Sequence, residues 1–176
     1  LALRPERAVT TSVTFDWHAA DRRWELQMTP YYTRVADYID AVQWDAATNA
    51  PRAVPVTGAF TVLKYANQSA RIFGLDVSGK LRLAETGFGV FGLEGKFGYV
   101  DGENTRTGDG LYQLMPLNTR IALTQRSDGW DNALELVAVD NKDSVSRVRN
   151  EIETAGYALL NLRFARQWER VRVDVG

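Results

Sequence analysis

Alternation of apolar and polar residues with a period of two constrains this chain more than any other feature, because only an extended strand puts successive side chains on opposite faces. Between Thr10 and His18, Val13, Phe15 and Trp17 oppose Thr14, Asp16 and His18. Between Arg23 and Asp37, Trp24, Leu26 and Met28 oppose Glu25, Gln27 and Thr29. The same rhythm runs through Ala70 to Leu83, Phe88 to Tyr99, Leu117 to Gln125, Ala133 to Val139, Tyr157 to Ala165, and Arg170 to Val175. The helical period is nearly absent, so the chain reads as all-β with about eight strands.

The connections carry a second rhythm. Short turns fall at Ala19 to Arg22, Ala84 to Gly87, Arg126 to Trp130 and Arg166 to Glu169, and long polar stretches at Asp40 to Gln68, Val100 to Pro116 and Asp140 to Ala155. Loops this long without structure are uncommon in a compact soluble domain. Hairpins closed by short turns at one end and joined by long loops at the other are the layout of an outer-membrane barrel. The expected fold is therefore an antiparallel transmembrane β-barrel segment with short periplasmic turns and long extracellular loops. No run approaches the roughly 18 apolar residues of a spanning helix, so any membrane crossing must be made by strands.

Aromatic placement agrees. Trp17, Trp24, Trp130 and Trp168 flank short turns, while Tyr31, Tyr32, Tyr38, Tyr65, Tyr99, Tyr112 and Tyr157 lie toward the long loops, as two interfacial girdles would. Gly74, Gly79, Gly92, Gly95 and Gly98 inside strands suit bending or close backbone approach.

Little here suits catalysis or a cofactor. There is no cysteine and one histidine, His18, beside a short turn where a lumen-facing or interfacial role fits best. Gly87 to Gly92 spells G-x-G-x-x-G, but the following residues alternate with period two, so no helix N-terminus is available for a pyrophosphate. The 21 basic and 22 acidic side chains leave a net charge of -1, which gives no bulk attraction for nucleic acid. No catalytic residue, metal site or cofactor is expected.

The charges on the polar strand faces (Glu25, Asp76, Lys80, Arg82, Glu94, Lys96, Arg120, Glu135, Arg163, Arg172 and Asp174) would line a wet lumen, pairing across strands or meeting a plug. The stretch Asp140 to Glu153 has room for a short helix with Val145, Val148 and Ile152 on one side, but reads as a solvated loop. The second long loop holds Asn104, Asp109, Met115 and the four ligand-contact candidates Asp101, Glu103, Arg106 and Tyr112, chosen by placement alone.

Tyr31-Tyr32-Thr33-Arg34-Val35-Ala36-Asp37-Tyr38-Ile39, followed after a loop by the strand Tyr65 to Asp76, resembles TonB-dependent receptors of the outer membrane. Met115-Pro116-Leu117-Asn118 and Tyr157 to Arg163 look like that family's closing hairpins, and the resemblance spans nearly the whole chain. It implies that residues 1–176 are the C-terminal part of a β-barrel domain whose plug, TonB-contacting box and last strand are not among them. It further implies a Gram-negative outer membrane, energised import of a siderophore, metal complex or similar scarce nutrient, and as partners TonB, the protein's own plug, lipid and the ligand. A porin-like or adhesive barrel shares the alternation but should lack plug and box. A soluble all-β binding module would pack its apolar faces on each other and stay folded in plain buffer.

Overall fold

The computed structural model describes residues 2–52, 54–59 and 61–176. Its strands are β1 (Arg7–Ser12), β2 (Phe15–His18), β3 (Trp24–Asp45), β4 (Ala50–Pro51), β5 (Val62–Thr86), β6 (Gly89–Asn104), β7 (Asp109–Gly110), β8 (Asn118–Ser127), β9 (Trp130–Val139), β10 (Tyr157–Gln167) and β11 (Arg172–Val175). All belong to one antiparallel sheet with the order β1-β3-β5-β6-β8-β9-β10-β11. β2 continues β1 along the same side of β3, and β4 and β7 extend the pairing of β3 and β6. Counting β1 with β2, the main path has the eight strands expected. Within the described residues the sheet stays open, with free edges along β1 and β2 and along β11. Because β11 pairs only with Phe164–Gln167, Tyr157 to Arg163 also lack a partner on that side.

Register sorts the two faces. Trp24, Leu81, Leu93, Leu123, Leu134 and Leu162 lie opposite one another in sequence across six strands, forming a single apolar row. These leucines are about two-fifths to one-half exposed, so the row is not buried by another layer of this chain. One residue along, Glu25, Lys80, Glu94, Ala122, Glu135 and Asn161 form the matching row on the other face. That polar face lines a concavity of about 1130 Å³. A sheet that is polar on its concave side and apolar on its exposed convex side is a barrel wall made for lipid outside and water inside.

Two strands are much taller than the alternation indicates. β3 has 22 residues and β5 has 25, roughly 75 and 85 Å of extended chain, whereas crossing a bilayer takes about 9–11. The stretch Asp40 to Gln68 is therefore strand at both ends, over residues 40–45 and 62–68, and β6 carries the second loop's beginning up to Asn104. On β3 the alternation is interrupted by a bulge at Asp37, which has φ 58 and no partner between Ala36↔Ser69 and Tyr38↔Gln68. One extra residue inverts which face each later side chain takes, so the period-two pattern breaks where the strand does not.

The short turns match expectation. Asp128-Gly129 closes β8 and β9 as a two-residue hairpin loop, with Gly129 at φ 70. A Cβ there would lie 2.6 Å from the Gln167 carbonyl oxygen, so both conformation and space require glycine. Gly87 to Gly92 belongs to the β5–β6 hairpin and not to a nucleotide loop. Gly74 shows the close approach expected of a strand glycine: a Cβ would meet the ring of its cross-strand partner Tyr31 at 2.4 Å.

The stretch Asp140 to Glu153 differs from a solvated loop. It carries one 3-10 turn, Arg147–Arg149, and buries Ser146 and Val148. Lys142 and Thr154 bridge at its base, closing it into a strap across the loop end of the barrel.

Candidate functional site

The lumen wall is a set of ion pairs stepped across strands. Lys80 on β5 meets Glu25 on β3 at 3.0 Å, and Arg126 on β8 meets Glu94 on β6 at 3.0 Å. Arg120 on β8 pairs with Glu135 on β9, which also accepts a 3.1 Å bond from the Asn161 amide on β10. Nearer the short turns, Arg126, Arg163 and Arg172 gather at 3.6 to 3.9 Å around Asp131, and Arg172 also holds Asp174 at 2.9 Å. Glu25, Lys80, Glu94, Arg120, Glu135, Arg163, Arg172 and Asp174 are thus charges that the sequence places on the lumen face and the structure pairs there. Most are solvent-exposed, so each pair adds little stability by itself. Lys96 has no carboxylate partner among the described residues. The periodic charge gives a hydrated, nearly neutral surface over which another polar body can sit.

The second feature is the interlocking of the three long loops at the other end. A small apolar cluster of Val35, Ala70 and Leu111, flanked by Tyr38, Ile72 and Leu114, forms its floor. Above it, Asn104 is 1 % exposed and donates through its amide to Asp40 at 2.9 Å and to Gln68 at 3.0 Å. Asp40 also receives Arg149 from the strap at 3.2 Å. The Arg149 guanidinium lies 5.5 Å from the Tyr65 ring and 4.9 Å from the Tyr112 ring, within cation–π range of both. Gln43 reaches across to the Val148 carbonyl at 3.2 Å and to both polar backbone groups of Val56. Long-range polar bonds between loops, unlike exposed ion pairs, cost the full desolvation of each group when broken.

Two further carboxylates pin the strap. Asp109, almost fully buried, accepts from Arg147 at 2.9 Å and from the Val148 backbone N–H at 3.1 Å. Glu151 accepts from the backbone N–H groups of Gln113 and Ser146 at 3.0 and 2.8 Å, and pairs with Lys142 at 3.1 Å. Burial alone would raise the Glu151 carboxyl; the two N–H groups and the ammonium outweigh it and hold the carboxyl below its ordinary 4.5.

The four ligand-contact candidates are not brought together. Tyr112 stands beside Arg149 in the loop network. Asp101 lies in β6, where it accepts from its neighbour Gly102 and from Ser144. Glu103, also in β6, pairs with Arg71 at 2.9 Å on the convex face, which removes it from the lumen. Arg106 is exposed, its backbone N–H bonded to the Asn104 amide oxygen. The residues that organise the site instead are Asp40, Gln68, Asn104, Asp109, Arg149 and Glu151. His18 lies at the end of β2 with Nδ1 3.1 Å from the Ala19 carbonyl oxygen. Among the described residues no group of three or more His, Asp or Glu side chains is placed to hold a metal ion.

The family described as "TonB dependent receptor-like, beta-barrel" matches residues 2–176. The chain belongs to this family. Among curated proteins nothing matches this receptor barrel. Among solved structures it is similar to one titled "Copper transporter OprC", with a TM-score of 0.78 over 98% of this chain at 18% identity. The receptor barrel spans 25% of that chain's length, and at this identity the likeness is one of fold. That fold is the all-β barrel wall read from the alternation.

Proposed function

We propose that this stretch is part of the wall and extracellular rim of an outer-membrane receptor that imports a scarce nutrient, driven by TonB. One observation carries the reading: the same strands present an apolar row of Trp24 and leucines outward and a polar row that carries cross-strand ion pairs inward, in a chain whose family is that of TonB-dependent receptors. The lumen row is polar, shallow and mostly self-neutralised, which suits contact with a plug supplied by the rest of the protein. The free sheet edges fit pairing with further strands, since unpaired backbone groups are not tolerated in lipid. The interlocked loops form a rim through which a ligand would pass. Energy coupling would come through the plug and its TonB-contacting segment, and the cargo would be a metal complex or siderophore, with copper among the candidates because the similar structure is titled a copper transporter.

Growth and uptake in a strain deleted for the full receptor test this. Accumulation of one among copper, a ferric siderophore, haem or cobalamin should fall on deletion and return with the wild-type gene, and the return should fail when TonB is absent. Unchanged uptake of all four would remove the transport reading. Return without TonB would favour a porin-like barrel.

A further inference from the structure

We infer that the upper edge of β5, from Leu63 to Asn67, receives an extended segment of a second protein as an added β-strand. The inference rests on the outer-membrane reading only for the side from which that partner arrives, the extracellular one.

β5 outruns its neighbour on one side only. It pairs with β6 as far as Ala70↔Asn104, and the Thr105 N–H then donates to the Ser69 carbonyl at 2.9 Å. Residues 62–68 continue with β3 alone. In an antiparallel pair, opposed residues alternately exchange both backbone bonds or turn both backbone groups outward. Three contacts on β3 settle which residues turn outward. The Ile39 N–H donates to the Glu6 carboxylate at 2.6 Å, the Ala41 N–H to the Asp40 carboxylate at 2.8 Å, and the Gln43 carbonyl accepts from the Arg52 N–H at 2.9 Å. Their partners are Asn67, Tyr65 and Leu63, so these three point N–H and C=O to the opposite edge. Ser69, of the same parity, already accepts Thr105 there.

The two edges of this ribbon differ. On the β3 edge the outward groups meet Glu6, Asp40 and Arg52, and β4 pairs with Trp44 and Asp45. On the β5 edge the N–H and C=O groups of Leu63, Tyr65 and Asn67 have no partner among the described residues. Strand edges are commonly guarded by proline, lysine or a bulge. Residues 62–68 hold no proline, and their one charged residue, Lys64, lies 3.6 Å from the centre of the Trp44 ring, toward β3. Val62, Leu63 and Tyr65 are 54%, 40% and 52% exposed, so the edge is reachable. Alternating free donors and acceptors spaced every second residue match one chemistry, another backbone in extended conformation. Leu63 and Tyr65 share one face, which suits a partner strand with apolar side chains at alternate positions.

The test uses the full receptor, folded in detergent, and a synthetic peptide with the sequence of Ile39 to Asp45, whose side chains already suit these β5 residues. In the receptor alone, the Leu63, Tyr65 and Asn67 amides should exchange hydrogen faster than those of Lys64 and Ala66, and saturating peptide should slow them at least about tenfold. Tyr65→Pro removes one edge donor and no bond to β3, so it should weaken peptide binding by about tenfold or more, while Tyr65→Val should keep it. Peptides N-methylated at alternate residues should lose binding in one phase and retain it in the other. Heat-modified mobility on gels checks that the variants fold; because the methylated peptides act on wild type, a misfolded Tyr65→Pro does not stop the test. Uniform exchange along residues 63–67, no binding of the unmethylated peptide, equal binding of both methylated forms, or unchanged binding by Tyr65→Pro would each overturn the proposal. A receptor dimer that Tyr65→Pro dissolves would make the occupant a second copy and overturn it as well. Metal-complex uptake, measured in parallel, reports on the transport reading separately.

Discussion

Removing the Asp109 carboxylate should free the strap while leaving the barrel intact. Asp109 accepts one bond from the largely exposed Arg147 and one from the backbone N–H of Val148, which is 7% exposed. The Arg147 pair is worth little, since water competes for its guanidinium. The Val148 bond is different: its donor is buried and its acceptor charged, and such bonds contribute about 1.5–3 kcal/mol. Asp109→Ala should therefore raise the opening of residues 144–151 by a factor of roughly 10 to 150, taking about 1.4 kcal/mol per tenfold. Hydrogen exchange on the full receptor in detergent measures this at the Val148, Arg149 and Glu151 amides, against β8 and β9 amides as the internal reference. Asp109→Asn should lie between wild type and alanine, because it keeps one acceptor oxygen. If alanine leaves strap exchange unchanged, or if the strands open equally, the carboxylate is not what holds the strap.

Three other outcomes follow from the same geometry. Since the Glu151 carboxyl is held below its ordinary 4.5, its stabilisation of the strap is present above that value and lost as pH falls through the folded one; strap exchange should rise on acidification, and E151Q should flatten that dependence. Ile121→Arg, in the middle of the convex face of β8, should cost about 2–4 kcal/mol in vesicle-refolding titrations, whereas Gln27→Arg on the lumen face, beside Asp16, should cost under about 1 kcal/mol; equal costs would contradict the assignment of faces. Gly129→Ala should destabilise the β8–β9 hairpin by at least about 1–2 kcal/mol, seen as a lowered urea midpoint, because φ is positive and the Gln167 carbonyl oxygen occupies the space.

The wall was legible in the sequence because lipid and water face the same strands, so each strand states its orientation in its own letters. Leu117 to Gln125 reads correctly without knowledge of its neighbours, since Ile121 and Leu123 must avoid the side that Arg120 occupies. The reading stopped where that local signal changed phase: the second and third alternating segments end at Asp37 and Leu83, the two bulged positions. Beyond Asp37 the same strand continues with its parity reversed, and Asp40 and Gln43, like Gln68 opposite Tyr38 on β5, look like loop residues. They are polar because they face the other loops. The rim was illegible for a different reason. Asp40 meets Arg149 at a separation of 109 residues, and Asp109 meets Val148 at 39. A buried carboxylate in a polar stretch has no periodic signature. Placement favoured Asp101 and Glu103, which turned out to belong to β6, over Asp109, which organises the strap.

The division of faces can be read most directly by single-cysteine scanning of Thr119 to Thr124 with a nitroxide label, which the absence of cysteine from these residues allows. In lipid vesicles, labels at Thr119, Ile121 and Leu123 should be relaxed chiefly by oxygen, and labels at Arg120, Ala122 and Thr124 should show little oxygen contact. A period-two oscillation with that phase supports a lipid-facing leucine row. A flat profile, or oxygen access that peaks at Arg120 and Ala122, would contradict the account.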